Sequence, residues 1–172
     1  MKEQTTEIIP YLEFLKRSKR SMLRPAIWRW KDVYQKLMES MEEHSYEPGR
    51  GGVSLLHKDV GDLNGVSPTL NVVVQILEPG VHNKPHRHTN MALFLVLQGI
   101  GYSIIDNQKF EWEKGDMVMA PAWSEHEHCN TSDTESAILV TFQDVPLVNG
   151  LGVMFLEEPI GTPIRHVVRK DR

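Results

Sequence analysis

The spacing of apolar residues changes character near residue 50. Before it, Ile8, Ile9, Leu12, Phe14 and Leu15 recur at helical spacing, which predicts a short helix within residues 7–24 that Pro25 stops. From Trp30 onward, Val33, Tyr34, Leu37, Met38 and Met41 fall on one face, with Lys31, Asp32, Lys36, Glu39 and Glu42 on the other. That pattern predicts an amphipathic helix over 29–44 whose apolar stripe packs on the rest of the chain or on another subunit. The run Glu47-Pro48-Gly49-Arg50-Gly51-Gly52 is a turn, and beyond it the pattern becomes strand-like. Residues 53–57, 70–77, 92–97, 102–105, 109–112, 117–119, 136–142, 153–156 and 164–168 are short, rich in β-branched or aromatic residues, and separated by Gly, Pro, Asn and Asp. Asp106-Asn107 forms one hairpin tip, and Glu113-Lys114-Gly115-Asp116 turns the next corner.

Many short strands punctuated by turns predict an all-β sandwich or closed barrel. The expected organisation is a helical extension over residues 1–48 and a β-barrel domain over 49–172, with an antiparallel double sheet across 52–158 and the helices outside it. Barrel edges and an apolar helix face need cover, so a homodimer is expected.

Composition narrows the function classes. The chain has 172 residues and 40% hydrophobic content, enough for one core, and its net charge of -4 argues against nucleic acid as a partner. The basic cluster Lys16-Arg17-Ser18-Lys19-Arg20 reads as a solvated helix end. Cys129 is the only cysteine, which excludes an intrachain disulfide and fits a reducing compartment. The apolar run at 91–97 is too short to span a bilayer, and the start Lys2-Glu3-Gln4-Thr5-Thr6 is no signal peptide, so a cytoplasmic protein without a membrane partner is expected. A Gly-rich phosphate loop, a Ser-centred nucleophile elbow and a Cys-x-x-Cys pair are all missing from the sequence.

What stands out is histidine. His86 and His88 are two apart, and strand alternation sends both rings to one face while Arg87 points the other way. A third imidazole, from His126 or His128, would complete a site with open positions for a divalent ion. His44 and His166 read as surface residues, and His57 and His82 as structural ones.

The two histidine stretches resemble the paired motifs of the cupin superfamily. Gly80, His86, His88 and Gly99 fit the first motif; Gly115, Pro121, His126 and Asn130 fit the second, with Trp123 where cupins usually have Gly. The resemblance implies a cupin double-stranded β-helix, or jelly-roll barrel. The glutamate that many cupins add as a ligand is replaced in the stretch holding Ala92 and Leu93, which leaves His86, His88 and His126 as the implied metal ligands, with His128 meeting substrate. Trp28-Arg29-Trp30, His86-Arg87-His88-Thr89, Pro121-Ala122-Trp123, His126-Glu127-His128 and Asp144-Val145-Pro146-Leu147-Val148-Asn149 further resemble the amino-terminal half of gentisate 1,2-dioxygenase-like proteins.

That likeness implies a single-cupin iron(II) dioxygenase that joins O2 to a small cyclic or bidentate substrate. Zinc, manganese or nickel are alternative ions, and a non-oxidative lyase, isomerase or bond-forming cupin, or a binding cupin without turnover, are alternative functions. Asp144 is a candidate for orienting a histidine or substrate; Met91, Phe94, Tyr102, Trp123 and Thr141 are candidates for the substrate wall. Two differences bear on substrate. Phe94 stands eight positions after His86, where the ring-cleaving family has an arginine that resembles an anchor for the substrate carboxylate, and Thr141 replaces an acidic residue of the family.

Overall fold

The computed structural model describes residues 6–18, 23–42, 49 and 51–167. His44 and part of the basic cluster lie outside these. α1 (Tyr11–Arg17) and α2 (Trp30–Met41) precede the β region, and both are shorter than the apolar pattern predicts. Pro10 and Arg29 sit at their starts without a side-chain cap, so the ends depend on backbone bonds and packing.

The strands are β1 (Gly51–Leu55), β2 (Asn71–Leu77), β3 (Arg87–His88), β4 (Ala92–Gln98), β5 (Ile100–Ile105), β6 (Gln108–Glu113), β7 (Met117–Ala120), β8 (His126–Asn130), β9 (Ala137–Gln143), β10 (Phe155–Glu157) and β11 (Arg165–His166). One sheet has the order β1-β2-β9-β4-β7 and a second the order β6-β5-β8; β11-β10-β3 form a small third sheet. Every pairing is antiparallel, as the expected jelly roll requires. A 3-10 turn at Lys58–Leu63 and a short α3 (Val145–Gly150) are additional to the elements read from the sequence.

Strand alternation sorts the chain into two cores. Leu77, Ala92, Phe94, Val96, Ala120, Ala137 and Leu139 from the large sheet meet Ile105 and Trp112 from the small one, so this core lies between the sheets. Val74, Ile76 and Ile138 point from the other face of the large sheet onto Val33 and Leu37 of α2. The α2 stripe is therefore core, and burying a leucine such as Leu37 stabilises by about 1.5–3 kcal/mol.

Asn130, at the end of β8, clamps the barrel end. Its Nδ2 donates to the carbonyls of Leu77, Glu78 and Glu135 at 3.0, 3.0 and 2.7 Å, and its Oδ1 accepts from Ser132 N at 3.0 Å. The second-motif asparagine thus ties the end of β8 to the end of β2 and to the segment that leads into β9. Asn130→Ala should lower unfolding stability by about 3 kcal/mol, because buried polar groups lose their partners together. Chemical denaturation checks this, and a loss below about 1 kcal/mol would remove the clamp role.

Candidate metal centre

β8 and the segment before it are brought together by backbone bonds. His86 N donates to His126 O at 3.1 Å and His126 N returns to His86 O at 2.9 Å, so the two histidines face each other directly. Farther along, Asn83 N donates to His128 O, and Asn83 Oδ1 accepts from His128 N at 2.6 Å. His88 enters on β3, and Trp123 N donates to its carbonyl at 2.7 Å.

One nitrogen from each of His86, His88 and His126 lies within 4.8 Å of the others. The ring centroids are 4.4 Å apart for His86 and His126, 4.7 Å for His88 and His126, and 5.7 Å for His86 and His88. Each ring is turned by a backbone carbonyl. Nδ1 of His86, His88 and His126 meets Lys84 O, Asn90 O and Ser124 O at 3.0, 2.8 and 2.9 Å. A carbonyl only accepts, so each neutral ring carries its proton on Nδ1 and keeps a bare Nε2.

The donors fit a divalent ion. His126 Nε2 is buried and has no hydrogen-bond partner, which is costly for a polar atom unless something occupies the space before it. Burial, reinforced by the imidazoles of His86 and His88, holds His126 down at about 3, and burial pushes His88 below the ordinary histidine range. Neutral imidazole is the ligating form, so His88 and His126 are held ready for a cation at neutral pH.

His128 stands apart. Its ring centroid is 5.9 Å from that of His126 and 4.3 Å from that of Phe94. Its Nδ1 meets a hydroxyl, Ser103 Oγ at 2.8 Å, and that oxygen also receives Trp112 Nε1–H at 3.0 Å. Burial and the surrounding imidazoles hold His128 well below the usual range.

The wall candidates divide by strand face. Phe94 is buried and its ring centroid lies 6.1 Å from that of His126; Thr141 is its cross-strand partner and donates to Gln75 Oε1 at 2.9 Å, so both face inward near the cluster. Tyr102 instead follows the outward phase of β5, with Lys109 Nζ 4.4 Å from its ring centroid. Trp123 lies beneath the Arg87 guanidinium, 4.7 Å from the ring centroid, on the side opposite His88. It sits at φ 66°, the left-handed conformation that explains glycine at this position in other cupins. Met91 N donates to Asp144 Oδ1 at 2.8 Å, so that pair ties the start of β4 to α3. Asp144 therefore makes a structural bond through Oδ1.

Two of the other histidines are also accounted for. His57 bonds Arg24 O and caps the 3-10 turn, while His82 Nε2 lies 3.1 Å from Glu127 Oε2. Sequence reading missed Ser103, Trp112 and Asn83 around His128. The alternation of Gly101, Ser103 and Ile105 marked Ser103 as inward, but only its register opposite His128 shows what it meets. Among the described residues that are buried, none is a lysine or an arginine.

Comparison with known proteins agrees with this geometry. Residues 73–142 match the family described as Cupin domain. The chain is 30% identical over 151 residues to 5-nitrosalicylic acid 1,2-dioxygenase of Bradyrhizobium sp, covering 85% of this chain and 72% of that protein. It is 32% identical over 138 residues to gentisate 1,2-dioxygenase of Streptomyces sp, covering 77% of this chain and 38% of that one. In structure it is similar to a salicylate 1,2-dioxygenase of Pseudoaminobacter salicylatoxidans studied with gentisate, with a TM-score of 0.69, 23% identity, and coverage of 78% and 37%. The chain thus spans 38% of that gentisate enzyme and 37% of that salicylate enzyme, and the last likeness is one of fold.

Proposed function

This chain belongs to the cupin superfamily as a single-barrel relative of the gentisate 1,2-dioxygenase family, and from that membership we propose that it is an iron(II)-dependent ring-cleaving dioxygenase. The observation that carries the reading is the convergence of three bare imidazole nitrogens, each turned inward by a carbonyl at its Nδ1. His86, His88 and His126 hold the ion. When bound, iron(II) would supply a Lewis-acidic centre through which electrons of the substrate reach O2.

The protein's own part is placement. Phe94 and Thr141 form an uncharged wall, and Ala92 and Ala120, paired across β4 and β7, are small side chains on the same interior. Names such as 5-nitrosalicylic acid and gentisate dioxygenase support an aromatic ring bearing adjacent oxygens. With no buried lysine or arginine among the described residues, such a ring fits best with its anionic oxygens directed at the ion.

We place the catalytic barrel in residues 49–172 and the helices in an extension. A homodimer in the cytoplasm completes the proposal. Support for assembly comes from α1, which buries no residue while Tyr11, Leu12 and Phe14 remain exposed, and from exposed Trp30 and Tyr34 on α2. The lone Cys129 is consistent with a reducing compartment.

The test is oxygen uptake. Metal-free protein is loaded anaerobically with ferrous iron and mixed with air-saturated catechols, aminophenols, salicylates and gentisate. Uptake should accompany loss of the aromatic absorbance of at least one compound, and zinc-loaded protein should show neither. Iron binding without uptake, or equal turnover by the zinc form, would move the protein to non-oxidative cupin chemistry.

A further inference from the structure

His128 does not share the proton arrangement of the three clustered histidines, and the difference originates outside the cluster. In His86, His88 and His126 the partner of Nδ1 is a carbonyl, which forces the proton onto Nδ1. In His128 the partner is a hydroxyl, which either gives or takes a proton. Trp112 removes that freedom, since an indole nitrogen only donates and its N–H is directed at Ser103 Oγ at 3.0 Å.

If His128 Nδ1 also donated, two N–H groups would converge on one buried oxygen whose own proton had no partner. The opposite arrangement satisfies all three atoms in sequence: Trp112 Nε1–H to Ser103 Oγ, Ser103 Oγ–H to His128 Nδ1, and the imidazole proton on Nε2. Leaving a buried hydroxyl unpaired is unfavourable enough to bias the two forms by about tenfold or more.

The surrounding chain fixes every member of this relay. Ser103 is the cross-strand partner of His128, and Asn83 Oδ1 anchors the backbone N of His128. The indole lies directly over Gly101, where an added Cβ would come within 2.4 Å of Trp112 Cη2 and 2.1 Å of Cys129 O. Only glycine lets Trp112 lie close enough over β5 to address Ser103. Ser103, Trp112 and His128 are all buried, so water does not compete for these bonds. At the far end, His128 Nε2 is buried without a partner, against the ring of Phe94.

We infer that Ser103 and Trp112 are positioning residues that hold neutral His128 as the Nε2–H form, opposite to the three clustered histidines, so that it offers a hydrogen-bond donor and not a fourth metal-binding lone pair. This deepens the proposed function, because it specifies the matching ligand atom: an oxygen acceptor, phenolate or carbonyl, beside the ion. It also gives a physical reason why two histidines on one strand face have different roles. His126 ends on a carbonyl and His128 on a hydroxyl relay.

The experiment is a long-range proton–nitrogen correlation spectrum of protein labelled with 15N-histidine, recorded metal-free and with zinc. His128 is assigned from the signals lost in His128→Gln. In the wild type, His128 should show a protonated, pyrrole-type Nε2 and a bare, hydrogen-bonded Nδ1, while His86, His88 and His126 show the reverse. Trp112→Phe should reduce the bias about tenfold and draw the two His128 nitrogen shifts toward each other. Ser103→Thr, which keeps the hydroxyl, should preserve the wild-type pattern.

A purely structural role for Trp112 would leave the His128 tautomer unchanged in folded Trp112→Phe, and that result overturns the inference. So does a wild-type His128 with its proton on Nδ1, a measurement that stands even if the variant does not fold. The spectrum requires neither iron nor O2. Failure of oxygen uptake therefore counts against the dioxygenase reading alone, and a reversed tautomer counts against the relay alone.

Discussion

His126→Ala should reduce metal content from about one ion per chain to near zero, while His128→Ala should leave it unchanged. The three converging nitrogens have no fourth protein partner among the described residues, so loss of one leaves two imidazoles for a cation that takes at least three ligands in such sites. Disturbing groups behind a ligand already weakens metal binding 10–100-fold, and removing the ligand itself should exceed that. The barrel should survive. The bonds between His86 and His126 are backbone to backbone, and alanine retains both. The deletion also removes a buried nitrogen that lacks a partner in the metal-free protein, which offsets part of the packing loss. Metal analysis on protein purified without a histidine tag, alongside far-UV circular dichroism, reads both halves. Metal retained without His126 but lost without His128 would reverse their roles.

The parts of this site that were legible in the sequence follow from local periodicity. His86 and His88 share a face because strand residues alternate, and the apolar stripe of α2 predicted that the helix packs on the chain or on a subunit, but not that its partners are Val74, Ile76 and Ile138. The fold class was equally visible in short apolar runs between turns. β8 was harder, because His126-Glu127-His128-Cys129-Asn130 is polar and lacks β-branched residues, so propensity alone does not mark it as a strand. It is a strand because both of its edges are paired, with β5 on one side and the segment holding His82 and His86 on the other. α3 was hidden by Pro146, which reads as a turn residue but is accommodated near a helix start.

The aromatic wall depends on a kind of information that composition lacks. Phe94 and Tyr102 are both strand aromatics, yet one faces Thr141 and His128 and the other faces Lys109. Which phase of a strand points inward is set by register with its neighbours, a tertiary property. The same holds for Ser103 and Trp112, unremarkable in sequence until β5 is laid against β8.

Phe94→Arg should convert an uncharged wall into a carboxylate receptor, at a large cost in stability when no carboxylate is present. The site is 4% exposed, and its nearest polar neighbours, Thr141 and neutral His128, offer no negative charge. A buried guanidinium without a counter-charge should lower stability by about 3–5 kcal/mol. A ring compound carrying a carboxylate then does two things that the wild type lacks: it pairs with the arginine, in a bidentate arrangement where geometry allows, and it restores part of the lost stability through binding. Affinity for gentisate or salicylate should therefore rise about tenfold or more over the wild type, each tenfold corresponding to about 1.4 kcal/mol. Catechol, with no carboxylate to pair, should gain nothing. Thermal shift titrations of zinc-loaded protein with each compound separate stability from affinity, and oxygen uptake on the iron form tests whether the gained binding is productive. If the wild type already binds gentisate as tightly as the variant, the ion alone satisfies the carboxylate and Phe94 does not set the choice of substrate. If the variant binds gentisate better and consumes oxygen with it, the uncharged residue at position 94 is what directs this barrel away from carboxylate-bearing rings.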